Sequence, residues 1–486
     1  MRRSIFQTMT AVLLLLLATG CAHYQVNKQR TQFDRESGYR FEALGPGPDN
    51  TDSLFVCLLF SGGGTRAASL SYGIMKALHE TAIMVEGKEK TLLDELDCIS
   101  SVSGGSFTAA YYGLFRENLF QDFRSQFLEQ NIQGMIAARL LHPFNWFRLA
   151  SPYFSRIDMA AELYNREIFQ DAGFRRLQAN GRPFIILNAT NLGTERRFAF
   201  TQEYFDLMGS RLDTYPVSRA VAASSAFPFL LAPVSLKNYP PAPGYTPPWW
   251  YKGALEPEEW TTKRFNAAQN LRHYLDEDFQ FIHLMDGGLA DNIGARAVLD
   301  SYDRGFIRTR INQGIIDQLV LIVVNARTKS EDTLGIRKKP PGVMTVAAKT
   351  ATVAMDNYSY DSVADLREEL YSRVQTQKDE QACIDLLAEH CPEAPRPYPF
   401  AAQVDPYVIE INFEAAALLP DEDPRYYLDL PTSFKLSAEQ VDKLVAIGPK
   451  LLENSPQYQC LLKVLEAESQ GLPRPDDCPI GSGIFP

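Results

Sequence analysis

A chain of 486 residues with 45% hydrophobic and 22% charged content is long enough to bury a large core and too apolar to be intrinsically disordered. Its formal net charge of −11 makes it a poor partner for nucleic acid and gives it no general attraction to anionic lipid headgroups. Membrane contact therefore has to come from covalent lipid or from apolar loops.

The first twenty residues read as an export signal. Arg2 and Arg3 give a positive start, and Ala11 to Ala18 is an apolar run containing Leu13–Leu17. The run is too short to span a bilayer, which takes roughly 20 residues. Leu17-Ala18-Thr19-Gly20-Cys21 resembles a bacterial lipoprotein processing box, with Cys21 as the lipidated first residue of the mature chain. Ala22 rather than aspartate follows it, which by the same resemblance favours the outer membrane of the cell envelope. One acyl chain binds membranes only marginally, whereas several hold stably. Residues 21–50 are polar, end in Gly45-Pro46-Gly47-Pro48, and are expected to act as a tether.

Leu54 to Phe60 is a continuous apolar run suited to a strand buried on both faces. Gly62-Gly63-Gly64 ends it, and Ala67 to Glu80 has helical spacing. The pattern recurs with a strand at Asp97–Val102, a turn at Ser103-Gly104-Gly105 and a helix near Phe107–Phe115. Pro183–Leu187, Phe281–Met285 and Gln318–Val324 are further buried strands. Strands alternating with helices predict a largely parallel sheet with helices on both faces. Residues 238–260, rich in proline with Trp249, Trp250 and Tyr251, exclude helix and central strand, leaving a self-packed surface loop or an interfacial lid. Beyond residue 330, Val343–Val374 is expected to be helical, Tyr407–Phe413 a strand, and Ser437 with Gln440 a capping box. The expected organisation is a catalytic domain at 51–330 and an extension at 331–486 that completes or covers it.

Cys57 and Cys98 fall in apolar strands and read as small buried hydrophobes. Cys383, Cys391, Cys460 and Cys478 could form two disulfides in an oxidising compartment, with no pairing legible. Their spacing fits no zinc pattern.

Ester hydrolysis needs a nucleophile on an exposed strained turn, a base, and donors aimed at an oxyanion. Ser101-Val102-Ser103-Gly104-Gly105 is a variant nucleophile elbow, with small residues at Ser101 and Gly105 on either side of Ser103. Gly62, Gly63 and Gly64 before a helix can converge N–H groups on one point. A phosphate-binding loop would require a lysine that is absent, since Arg66 is not in its place; Arg66 either orients a lipid phosphate or braces the loop. Only His390 follows Asp286, and it sits in a polar segment, so a Ser-Asp-His triad does not fit. Asp286, at the end of an apolar strand and followed by Gly287-Gly288, is the candidate base. His283 points to the opposite strand face and reads as structural.

In order, Gly62-Gly63-Gly64-Thr65-Arg66, Ser101-Val102-Ser103-Gly104-Gly105 and Asp286-Gly287-Gly288 resemble the patatin-like phospholipase family. So do the blocks Leu187–Leu192 and Ala222–Pro228, and the resemblance spans roughly residues 54–326. Serine at position 101 is the one departure. The resemblance implies a three-layer α/β/α domain with a mostly parallel central sheet and a Ser103–Asp286 dyad. It further implies an oxyanion hole at the glycine loop, lipid ester substrates such as phospholipid, and no cofactor or metal. An acyltransferase using the same acyl-serine, or an envelope scaffold without activity, are the competing expectations.

Overall fold

The computed structural model describes residues 23–47, 50–228, 230–328, 338, 340–393 and 404–481. The expected signal peptide and Cys21 lie outside these residues. Among them, no helix is long and apolar enough to cross a membrane.

Residues 23–47 correct the expectation of a free tether, because they form a strap laid onto the domain. Lys28–Gln29 (β1) pairs antiparallel with Ser210–Arg211. Arg30 and Arg40 both bind the buried carboxylate of Asp206, and Tyr39, Phe41 and Leu44 enter the main core. Composition marked this stretch as polar, but Asn27, Arg30 and Arg40 bind Ser210, Lys237 and Asp206, far along the sequence.

The apolar runs become central strands. Leu54–Phe60 (β2) is buried at every position and leads through the glycines into helix Thr65–Glu80 (α1). Leu96–Val102 (β3), equally buried, leads into Gly104–Phe115 (α2). The helices that follow include Ile132–Leu141 (α3), Pro143–Leu149 (α4) and Arg156–Glu167 (α5). Phe184–Asn191 (β4) extends four residues beyond the expected Leu187, and Arg196–Ala199 (β5) folds back against it. After Ser210–Arg211 (β6) come Val217–Ser224 (α6), Val234–Lys237 (β7), Phe281–Asp286 (β8) and the single turn Gly288–Asp291 (α7). Gln318–Asn325 (β9) is buried throughout.

The sheet runs in the order β10-β9-β2-β3-β4-β8-β7, with β10 at Asp405–Asn412 and β5 beside β4. Pairings from β10 to β4 are parallel, and those made by β8, β7 and β5 are antiparallel. The protein is thus a mixed α/β fold with a mostly parallel sheet flanked by helices, followed by a largely helical C-terminal portion. That portion begins with Val343–His390 (α8), contributes the edge strand β10, and ends with Ala438–Glu453 (α9) and Pro456–Ser469 (α10). The Ser437–Gln440 capping box opens α9. α9 crosses α1 closely, since a Cβ on Gly73 would lie 2.4 Å from the Val445 carbonyl oxygen.

Two cysteine expectations are corrected. Cys57 and Cys98 occupy one register position of β2 and β3, with Cα atoms 4.6 Å apart, and are joined as a disulfide. Of the other four, Cys460 pairs with Cys478, while Cys383 and Cys391 are exposed and unpaired. Both lie at the end of α8, where eight residues of helix separate their Cα atoms by about 12 Å, too far for a bridge.

The loop at 238–260 packs on itself. Trp250 is buried with Ala254 and Ala268, as the self-packed reading expects, while Trp249 and Trp260 are exposed.

Candidate active site

At the end of β3 the chain turns sharply on Ser103, whose backbone adopts φ 49° and ψ −117°. A non-glycine residue in this region is strained and persists only when its surroundings hold it. Here the Ser103 N–H donates to Ser224 Oγ at 2.9 Å, and the Ser106 N–H donates to the Ser103 carbonyl at 3.1 Å. Gly105 has to be glycine, because a Cβ would stand 2.6 Å from that of Phe60. Ser101 donates to the Ile186 carbonyl and accepts from Ser106 Oγ, both at 3.2 Å. A hydroxyl at this elbow position therefore pins the turn to β4 instead of leaving a bare glycine contact.

Asp286 sits at the last position of β8, buried. Its Oδ2 accepts the Ser103 hydroxyl at 2.9 Å, and its Oδ1 accepts the Gly288 N–H at 2.9 Å. Burial pushes its carboxyl up to about 7, against the opposing effect of these two hydrogen bonds. A carboxylate poised near neutrality and touching a strained serine has the position and the proton affinity of a general base. His283 lies exposed on the other strand face, its Nδ1 2.9 Å from Ser235 Oγ.

Gly62, Gly63 and Gly64 span the gap between β2 and α1, with φ of 141° at Gly63 and 62° at Gly64. The Gly62 N–H donates to the Asn292 carbonyl at 3.0 Å, so it is not available to an oxyanion, contrary to its place in the expected hole. The N–H groups of Gly63 and Gly64 have no hydrogen-bond partner among the described residues. Gly62 and Gly63 of the loop line one pocket together with Ser103, Asp286 and Arg66.

Arg66 is buried and braces the loop. Its Nε donates to the Ala326 carbonyl at 2.9 Å, Nη1 to the Leu430 carbonyl at 2.7 Å and Nη2 to Thr432 Oγ1 at 3.1 Å. These contacts tie the glycine loop to the end of β9 and to a C-terminal segment whose Ser433 carbonyl accepts the Thr65 N–H at 2.9 Å.

Three residues escaped sequence reasoning. Ser224 holds the Ser103 amide and, through its carbonyl, the Gly287 N–H at 3.1 Å. Thr190 Oγ1 donates to the Asp286 carbonyl at 2.8 Å. Asn292 is wedged beside Gly62 and hydrogen-bonds Ser359 of α8 at 3.0 Å. The first two lay within blocks that could be seen in the sequence, but nothing local indicated what they touch.

The pocket is a cleft of about 60 Å³ bordered by Phe227, Arg327, and Thr352 and Met355 of α8. That is far below the several hundred Å³ typical of ligand pockets.

The α/β sheet thus presents a strained serine at a strand–helix turn, hydrogen-bonded to a buried aspartate and beside a glycine loop. The patatin-like phospholipase family model matches residues 58–299, and the chain carries a domain of that family. No curated protein matches the chain. Among solved structures it is similar to human GIVD cytosolic phospholipase A2 in complex with methyl gamma-linolenyl fluorophosphonate, at 13% identity and TM-score 0.41, covering 86% of this chain and 60% of that one. It is also similar to VipD from Legionella pneumophila, at 11% identity and TM-score 0.26, covering 87% and 71%. The chain spans 40–60% of the phospholipase A2 chains it matches.

Proposed function

We propose that the protein is a lipid acyl hydrolase that works through a Ser103–Asp286 dyad. Asp286 takes the proton from Ser103 Oγ as that oxygen attacks the ester carbonyl. The tetrahedral oxyanion is held by the N–H groups of Gly63 and Gly64, and α1 behind them adds its positive dipole end. Protonated Asp286 then gives its proton to the departing alcohol, leaving an acyl-serine. Water attacks that ester, its proton passes to Asp286, and collapse returns the proton to Ser103 Oγ with release of the fatty acid.

The observation that carries this reading is the 2.9 Å hydrogen bond from Ser103 to a carboxylate that burial holds near neutral pKa. A phospholipid or another lipid ester is the proposed substrate, and the cell envelope, through lipid on Cys21, the proposed location. The test compares the parent with Ser103→Ala and Asp286→Asn for fatty-acid release from mixed phospholipid vesicles and from a short-chain ester. Release by the parent that both variants lose while staying folded supports the reading. A parent that releases nothing from any ester sinks it. Transfer of the acyl group to an added alcohol, in preference to water, would make the enzyme an acyltransferase.

A further inference from the structure

We propose that the hairpin formed by α3 and α4, with Tyr153, is a bilayer-docking surface placed beside the N-terminal attachment point. The inference rests on the lipid-anchor reading only for the second half of that statement.

The hairpin turns large apolar groups outward. Leu141 is 75% exposed, Phe144 69%, Trp146 58% and Tyr153 56%, and no residue of α4 is buried. Phe144 and Phe147 are three apart and share a helix face. The Trp146 indole N–H is already satisfied by the Leu140 carbonyl at 2.9 Å, so the ring can leave water without losing a hydrogen bond. Clustered exposed aromatics of this kind are unusual on a monomer surface and suit the bilayer interface.

Two independent observations select a bilayer as the occupant. First, the described chain starts on this surface: the Tyr24 N–H donates to the Tyr153 carbonyl at 2.7 Å, and the His23 ring stacks on Tyr153 at 5.0 Å between centroids. Cys21 is two residues before His23, so lipid placed there emerges next to the hairpin with almost no slack. Second, residues 130–157 contain no Asp or Glu, although the chain is acidic overall. The acidic surface elsewhere is repelled by anionic headgroups, and this stretch is spared that cost.

The test uses the full chain carrying Cys21→Ser, with and without Phe144→Ser/Trp146→Ser, mixed with phosphatidylethanolamine–phosphatidylglycerol vesicles. Both substituted positions are exposed, so thermal unfolding is expected to be unchanged and serves as the folding control. Hydrogen exchange is expected to slow on vesicle addition within residues 132–153, and the double substitution to abolish that protection and weaken flotation with vesicles by about ten-fold or more. Unchanged exchange in 132–153, equal flotation of the two proteins, or a dimer that the substitutions dissociate would each overturn the proposal. Mass analysis of the N-terminal peptide from the parent asks separately whether Cys21 is lipidated; an unmodified cysteine removes the anchor and leaves the hairpin result standing on its own.

Discussion

Gly104 and Gly64 touch backbone to backbone: a Cβ on Gly104 would stand 2.0 Å from the Gly64 carbonyl oxygen and 2.6 Å from its nitrogen. The turn that carries the proposed nucleophile and the loop proposed to carry the oxyanion donors are therefore in direct contact, with no side chain between them. Gly104→Ala is expected to push the two apart, costing about 1–3 kcal/mol of stability as an overpacked site and nearly all ester hydrolysis. Urea unfolding and initial rates on a short-chain ester, measured on the same preparation, check both halves. A variant with parental rates would mean that the loop is not positioned by this contact.

Asp286 has to be ionised to act as base, and its carboxyl titrates near 7. Hydrolysis is expected to fall about ten-fold per pH unit below that point and to level off above it. The kcat/KM profile of the parent on a soluble ester reads this directly, and a flat profile between pH 5 and 8 would exclude Asp286 as the titrating base.

The same raised pKa bears on stability with the opposite sense. The folded state holds the Asp286 proton more tightly than the unfolded chain, so this group favours folding at low pH, and that contribution is lost as pH rises from about 4 through about 7. Asp286→Asn cannot ionise and still offers an oxygen to the Gly288 N–H. The inactive variant is therefore expected to be more stable than the parent at pH 8, by up to about 4 kcal/mol, with the gap closing towards pH 4. Thermal melts of the two proteins across that range decide it.

Much of this site could be read along the chain, because the elements that build it are local. A buried apolar run, a glycine or serine turn and a helix leave their pattern in consecutive residues, which is how Gly62–Gly64, Ser103 and Asp286 could be located. What supports them is not local. Ser224 lies 121 residues from the Ser103 amide that it binds, and Asp206 is what turns Arg30 and Arg40 from a polar tether into a clasp. Cys57 and Cys98 look like ordinary strand hydrophobes until β2 and β3 are placed in register. The far half of α8 went unseen for another reason: it is held by solvated pairs such as Gln375–Asp379 and Gln381–Asp385, which leave no apolar stripe.

Arg66 offers a clean distinction between bracing and recognition of a charged headgroup. Arg66→Met leaves the Ala326 and Leu430 carbonyls without their donor, at a cost of about 2–4 kcal/mol for an arrangement this buried. Because the guanidinium holds the loop rather than the substrate, the loss of activity is expected to be equal for a phospholipid and for an uncharged ester. A selective loss on phospholipid would reassign the residue.

Met355 closes the cleft from α8, its Cε lying 3.3 Å from where a Cβ of Gly288 would be. Met355→Ala is expected to raise the rate on long-chain esters several-fold relative to short-chain ones, since it opens the small cleft without touching the dyad. Rates on a series of acyl chain lengths test this, and a uniform change would place the barrier elsewhere, at the Phe227 loop.

The N-terminal strap sets a limit on proteolytic shedding. In many anchored proteins a cut in the leash releases a working soluble enzyme. Here a cut after residue 47 would strip Tyr39, Phe41 and Leu44 from the core and leave the carboxylate of Asp206 buried without its two arginines. A protease acting on this stretch is therefore expected to destabilise the fold rather than free an intact domain.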